Sequence, residues 1–196
     1  MPRIVTTPIA PLVLPESRLA PRRLAPDVVA AALPGPACDR LAAGNVLVVT
    51  TGQQPGLFTG PLYTVYKALS AIALARRLER ERRVPVVPLF WVAGDDHDFA
   101  EANHTWFLNA GGELVQIVLR ERPSDAPLVP VARELCGQEI VAALAQLRDG
   151  TPETEFKADV IAWLERWYRP EATHADAFAG ALDALLGPRV LVVLRA

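Results

Sequence analysis

The chain has 196 residues, 51% of them apolar, and a mean hydropathy of +0.20, which excludes a disordered, solvating polymer and predicts one globular domain with appended pieces. Twenty basic residues against 22 acidic ones leave a formal charge of −2. That balance excludes a sequence-wide basic field for nucleic acid.

Residues 1–26 carry Pro2, Pro8, Pro11, Pro15, Pro21 and Pro26, which remove backbone donors and predict an irregular arm on the domain surface. The start lacks the charged segment and continuous apolar stretch of a secretory signal, and no apolar run is long enough to cross a bilayer. Cys38 and Cys136 stand far apart, with no C-x-x-C spacing, and read as two reduced, buried thiols. A cytoplasmic protein is expected, with no membrane partner. "DVVAAAL" predicts a short helix with Asp27 as its N-cap and "PGP" at 34–36 as its stop, and a second helical piece fills 37–43.

"NVLVVTT" (45–51) suits a strand buried on both faces of a parallel sheet. A helix then begins at Pro61, with Leu62, Val65, Tyr66, Leu69, Ile72 and Ala73 at helical spacing, and runs into the solvated "RRLERERR". "VPVVPLFWVAG" (84–94) is a second doubly buried strand, completing a βαβ unit. "DDHDFAEANHTWF" (95–107) reads as a loop entering a helix that starts near Asp96, and "ELVQIVL" (113–119) as a third strand. After an excursion, helices are expected near 137–148, 153–168 and 173–186, and a buried strand over 189–194.

Two stretches are dense in chemistry, and both follow strands of the same βαβ unit, so they share the carboxyl edge where open α/β sheets bind ligands. In "TGQQPGLFTGP", Gly52, Gly56 and Gly60 permit close ligand approach, and the helix from Pro61 points free N–H groups at the loop, which suits a phosphate or carboxylate. Neither G-x-x-x-x-G-K-[ST] nor G-x-G-x-x-G is present. Gln53 and Gln54 offer neutral amides to a hydroxylated or amide-bearing ligand. A purely structural turn is the alternative. Tyr63, Lys67 and Ser70 fall at helical spacing, with Lys67 the candidate partner for an anion near the helix start, against the alternatives of a solvated lysine and a core aromatic.

In the second stretch Asp95, Asp96, His97, Asp98, Glu101 and His104 crowd a strand-to-helix junction, and capping accounts for one or two of them. A helix from Asp96 would set His97, Glu101 and His104 on one face, a two-histidine, one-carboxylate pattern that a metal-dependent hydrolase would use. The stretch lacks H-E-x-x-H, so acid/base work or substrate orientation is the preferred reading, with His97 flanked by Asp96 and Asp98.

"TGQQPGLFTGPLYTVYKALSAIALA" followed by "PVVPLFWVAGDDHDFAEANH" closely resembles the N-terminal half of the bacillithiol biosynthesis cysteine-adding enzymes, assigned as the cysteine ligases of that thiol pathway. The resemblance is dense over 46–107. It implies an α/β, Rossmann-like core of nucleotidylyl-transferase type, related in shape to the class I aminoacyl-tRNA synthetases, with connecting-peptide regions and a C-terminal coiled coil through which full-length members form homodimers. The implied reaction joins the carboxyl of cysteine to the amine of glucosaminyl-malate. A free carboxylate needs activation for this, most simply by ATP or another nucleotide; no metal is expected.

On this reading the chain divides into an arm with short helices (1–44), the Rossmann-like core (45–122), a loop and helical connecting region (123–188) and a returning core strand (189–196). Family members are more than twice as long, so the chain reads as an N-terminal fragment. It also lacks the synthetase-like H-x-G-H histidines, Phe58-Thr59-Gly60-Pro61 standing at that turn. Asp96 or His97 is expected to take the proton of the attacking amine. Gly52, Gln53, Gln54, Gly56, Thr59, Gly60, Tyr63, Lys67, Asp95, Asp98 and His104 are expected to bind substrate or nucleotide. A non-catalytic module that keeps the pocket is the rival reading.

Overall fold

A computed structural model describes residues 20–123, 125–189 and 191–195, so most of the proline-rich arm expected over 1–26 lies outside the described residues. In chain order the elements are α1 (Pro26–Ala30), α2 (Pro36–Ala43), β1 (Leu47–Gln53), α3 (Tyr63–Arg82), β2 (Val86–Val92) and α4 (Phe99–Ala102). Then follow β3 (His104–Leu108), β4 (Leu114–Val118), α5 (Glu139–Gly150), α6 (Lys157–Trp167), α7 (His174–Leu186) and β5 (Val192–Arg195). The fold is Rossmann-like: β2 is the middle strand of a three-stranded parallel sheet, paired with β1 on one side and β5 on the other.

The continuous apolar runs have a direct cause. One face of the sheet packs Phe90, Val92 and Val193 against Ala68 and Ile72 of α3 and Phe178 and Leu182 of α7. The opposite face packs Val87, Leu89 and Val192 against Val28 of α1 and Ala37 and Leu41 of α2. A strand covered on both faces has no polar side to show. Each fully buried apolar side chain of this kind contributes roughly 1.5–3 kcal/mol.

Several boundaries differ from the sequence reading. Asp27 does not cap α1: Pro26 takes the first turn, where its missing N–H costs nothing, and Ala25 is the N-cap. The helix α3 starts at Tyr63 rather than Pro61, because Gly60 at φ 69 turns the chain first. It ends at Arg83, left-handed at φ 54, just before Val84-Pro85.

Two expectations change in kind. The stretch 95–107 is not a loop entering a long helix: α4 lasts four residues, and His104–Leu108 is a strand. "ELVQIVL" does not join the parallel sheet either; β4 pairs with β3 in a separate antiparallel hairpin. The alternation of "HTWFL" and "LVQIV" about a turn with Gly112 at φ 80 favours that hairpin, and Asn109 accepts the Glu113 N–H at 2.9 Å.

The hairpin helps build a second core outside the sheet. Leu57 and Phe58 from the loop after β1 are buried there with Phe99, Ile117, Val131, Ile140, Leu144, Leu164 and Tyr168. Helices α5, α6 and α7, all expected from the sequence, add Ala143, Ala177 and Ala181 to the residues of theirs already named. Cys136 is buried in this core, whereas Cys38 is half-buried; both are free thiols. Among the described residues no helix is long and apolar enough to cross a membrane.

Candidate functional site

The loop after β1 is held from beneath. Gly52 belongs to the strand itself, where a Cβ would lie 2.6 Å from the backbone oxygen of Trp91, so this glycine serves the pairing of β1 with β2. A Cβ on Gly56 would lie 2.9 Å from Cα of Gly60, so the two ends of the turn touch. Between them Phe58 (φ 53) and Thr59 (φ 72) are both left-handed, which costs on the order of 1 kcal/mol each.

Buried side chains from far along the chain hold this conformation. The Thr59 N–H donates to the Tyr168 hydroxyl at 2.7 Å, and the Phe58 and Tyr168 rings meet edge-on at 5.2 Å. His174 Nδ1 lies 3.2 Å from the Pro55 carbonyl oxygen, which can only accept, so the ring carries its proton on Nδ1. The His174 ring also meets Phe99 edge-on at 5.5 Å. Burial pushes the His174 imidazole down to about 4, against the opposing pull of the Pro55 hydrogen bond, and pushes the Tyr168 phenol up.

The loop after β2 is organised around Asp96. Its carboxylate accepts the Asp98 N–H at 3.0 Å and the Gln54 side-chain amide, and these bonds hold it below the usual carboxylate range. The Gln54 contact brings together the two stretches that the βαβ geometry placed on one edge. His97 is largely exposed, with Nδ1 3.9 Å from the Asp96 carboxylate, and its backbone carbonyl accepts from Arg122 at 2.9 Å. Asp98 caps α4 by accepting the Glu101 N–H at 3.2 Å, and Asp95 is exposed.

Arg120 and Arg122 pair with Glu134 at 2.9 and 2.6 Å and lie over the Phe99 ring. Burial would raise the Glu134 carboxyl, but the hydrogen bonds from Arg122 and Arg120 outweigh it and hold the group low. His104 opens β3, with Nδ1 3.0 Å from the Ala100 carbonyl oxygen. His97, Glu101 and His104 therefore do not share a helix face, and the arrangement behind the metal-dependent hydrolase reading is absent.

A cavity of about 520 Å³ opens between the first loop and the hairpin, lined by Gln53, Gln54, Gly56, Gly60, Pro61, Leu62, Tyr63, Glu101, His104, Thr105 and Trp106. The amino end of α3 borders it, and no side chain caps that end. Asp96 and His97, expected to act on the ligand, are not among its lining residues; Asp96 is tied to the cavity through Gln54, and His97 follows Asp96 in the chain. Gln53 Oε1 accepts from the Tyr63 hydroxyl at 2.8 Å and from Lys67 Nζ at 3.0 Å. The Lys67 ammonium also donates to the Gly52 carbonyl at 3.2 Å, so its charge sits at the end of β1 rather than at the helix start. With Ser70 and Tyr66 it lines a second groove of about 400 Å³ along β1.

A larger groove of about 640 Å³ lies beside α5 and α6, but all of its lining charges except Asp149 are committed to one another as the Arg148–Glu165 and Lys157–Glu153 ion pairs. The cavity at the sheet edge is the better candidate because its amides, backbone and apolar walls converge on one space.

Tyr168, His174, Arg122 and Trp106 escaped the sequence reading. The first two act on residues 109 and 119 positions away, for which a single sequence carries no local signal. Trp106 had one available: the alternation of "HTWFL".

The family model for the bacillithiol biosynthesis BshC N-terminal Rossmann-like domain matches residues 21–196. The chain is 42% identical over 159 residues to a protein of Heliobacterium modesticaldum, covering 79% of this chain and 28% of that protein. It is 40% identical over 159 residues to one of Chlorobaculum tepidum, covering 81% and 28%, and 37% identical over 161 residues to one of a Geobacillus species, covering 81% and 29%. Each carries the name "Putative cysteine ligase BshC". The chain thus spans little more than a quarter of the length of the curated relatives it matches.

Proposed function

The chain belongs to the BshC family through its N-terminal Rossmann-like domain, and we propose that it supplies the substrate- and nucleotide-binding half of a cysteine ligase of bacillithiol biosynthesis. The reaction is amide formation between the carboxyl of cysteine and the amine of glucosaminyl-malate, with ATP or another nucleotide supplying activation. The observation that carries this reading is the Gln54–Asp96 contact, which ties the uncharged loop to the acidic one beside a single cavity.

Anionic groups of the ligand would sit at the amino end of α3, where the helix dipole favours them and the Leu62 and Tyr63 N–H groups are left to donate, those of Thr64, Val65 and Tyr66 being bonded to the Pro61 and Leu62 carbonyls. Gln53 is held by Tyr63 and Lys67 with its carbonyl occupied, which leaves its amide N–H groups to donate to a hydroxyl or carboxylate. His97 accepts the proton of the attacking amine. The Asp96 carboxylate, kept ionised by Asp98 and Gln54, stands near enough to stabilise the resulting imidazolium. The free thiols fit a cytoplasmic protein, and the full-length enzyme would form a homodimer through a coiled coil, with neither nucleic acid nor membrane as partner.

The test is His97→Ala in the full-length protein, assayed for amide product with and without ATP. Turnover should fall at least about a hundredfold, with an unchanged melting temperature, because the side chain is exposed. Full turnover in the variant would remove His97 from the mechanism, and product without nucleotide would remove the activation step.

A further inference from the structure

We propose that Trp106 is the platform on which the planar ring of a bound nucleotide stacks, in the cavity at the sheet edge that it lines together with Leu62. This rests on the nucleotide reading above and goes beyond it by saying where the base lies relative to the phosphates.

Strand alternation sets the geometry. Along β3, Phe107 is half-buried against the second core, and Thr105 lies opposite the buried Ile117. Trp106 therefore faces the other way and remains 52% exposed. Indole offers a large apolar surface, and leaving half of it in water forgoes stabilisation that burial would give. Trp106 does not stand alone: Leu62 (67% exposed) and Tyr63 (47% exposed) line the same cavity. Three large, uncovered side chains around one concavity, with a few fixed polar atoms among them, are the composition of a small-molecule site.

The polar atoms narrow the ligand. The Ala100 carbonyl and Asn103 Oδ1, 3.0 and 3.2 Å from His104 Nδ1, favour the Nδ1–H tautomer, in which Nε2 is an acceptor suited to an exocyclic amino group. Leu62 and Tyr63 also form the start of α3, where the phosphates are placed, so an apolar wall and an anion-favouring end share one cavity of about 520 Å³. That volume is within the range of ligand pockets. A nucleotide carries both a flat aromatic end and an anionic end, whereas cysteine and a sugar malate have no flat ring to stack.

Calorimetry on the full-length protein with ADP and with inorganic tripolyphosphate tests the assignment. Trp106→Ala should weaken ADP about ten- to a hundredfold and leave tripolyphosphate unchanged, while Trp106→Phe keeps most of the ADP affinity. Circular dichroism melts matching the wild type exclude misfolding. Equal ADP affinity in Trp106→Ala and wild type overturns the proposal but leaves the nucleotide reading standing. Parallel weakening of both ligands, or no ADP binding by the wild type, also overturns it. Tryptophan-dependent ADP binding without ATP-dependent product would instead support the platform and sink the ligase reading.

Discussion

The loop after β1 and the loop after β2 leave the same sheet edge, yet they are built by opposite means. Pro55–Thr59 carries no charge, is buried, and takes its shape from Tyr168 and His174 beneath it. Asp95–Asp98 faces solvent and is shaped largely by its own short-range bonds, Asp98 N–H to Asp96 and Glu101 N–H to Asp98, with Arg122 and Val131 bracing its backbone. One site can thus combine a rigid, neutral floor with an exposed, ionised rim. The floor pays in folding stability for its left-handed residues, while the rim contributes charge at little structural cost.

This contrast can be broken most severely at the root of the first loop. Gly52→Ala forces a Cβ against the Trp91 backbone oxygen, which cannot yield as a side-chain end would. A loss of about 3 kcal/mol is expected, read as a melting temperature lower by roughly 8 °C.

The support beneath the loop should reveal itself through pH. His174 has an ordinary value of 6.5 and falls to about 4 in the fold. Above pH 6.5 the ring is neutral in both states, and nothing depends on pH. Between 6.5 and about 4 only the unfolded chain takes up the proton, so stability drops as pH falls, by about 3 kcal/mol at the lower end. His174→Asn keeps an N–H near Nδ1 but cannot titrate. Urea midpoints between pH 6.5 and 5 should therefore fall less steeply in the variant than in the wild type; equal slopes would show that His174 is not buried neutral.

The smallest effect comes from removing one oxygen. Tyr168→Phe leaves the buried Thr59 N–H without its acceptor and should cost about 2 kcal/mol in a denaturant titration, keeping the ring contact with Phe58. Turnover should fall as well, because the cavity wall loosens. An equal stability loss from His97→Ala would erase the distinction between floor and rim.

The sheet was legible in sequence because β2 and β5 are covered on both faces, and a doubly buried strand has an unmistakable apolar run; β1, expected to be buried on both faces, is buried only at Leu47, the rest of it being half-buried or exposed. The hairpin was not. Asp96, Asp98 and Glu101 look like the acidic first turn of a helix, and Asp98 does cap one; α4 ends after a single turn because "HTWFL" gains more from pairing with "LVQIV" than from continuing as helix. Reading 95–107 as helix also hid Trp106, whose direction follows only from strand alternation. At the site, the residue types on the sheet edge could be read from glycines, amides and carboxylates. The aim of Lys67 could not, since a flexible side chain is placed by its acceptors, Gly52 and Gln53.

The bonds from Tyr168 and His174 span 109 and 119 positions. During synthesis the ribosome releases the glycine loop long before it has made the two side chains that fix its shape. A nascent chain ending near Arg122 already contains both signature stretches, but the left-handed turn at Phe58 and Thr59 has nothing beneath it. Long-range contacts of this kind are slow to form. The pocket wall is thus a late product of folding, and synthesis stalled before α7 would yield a chain with the full motif and no site.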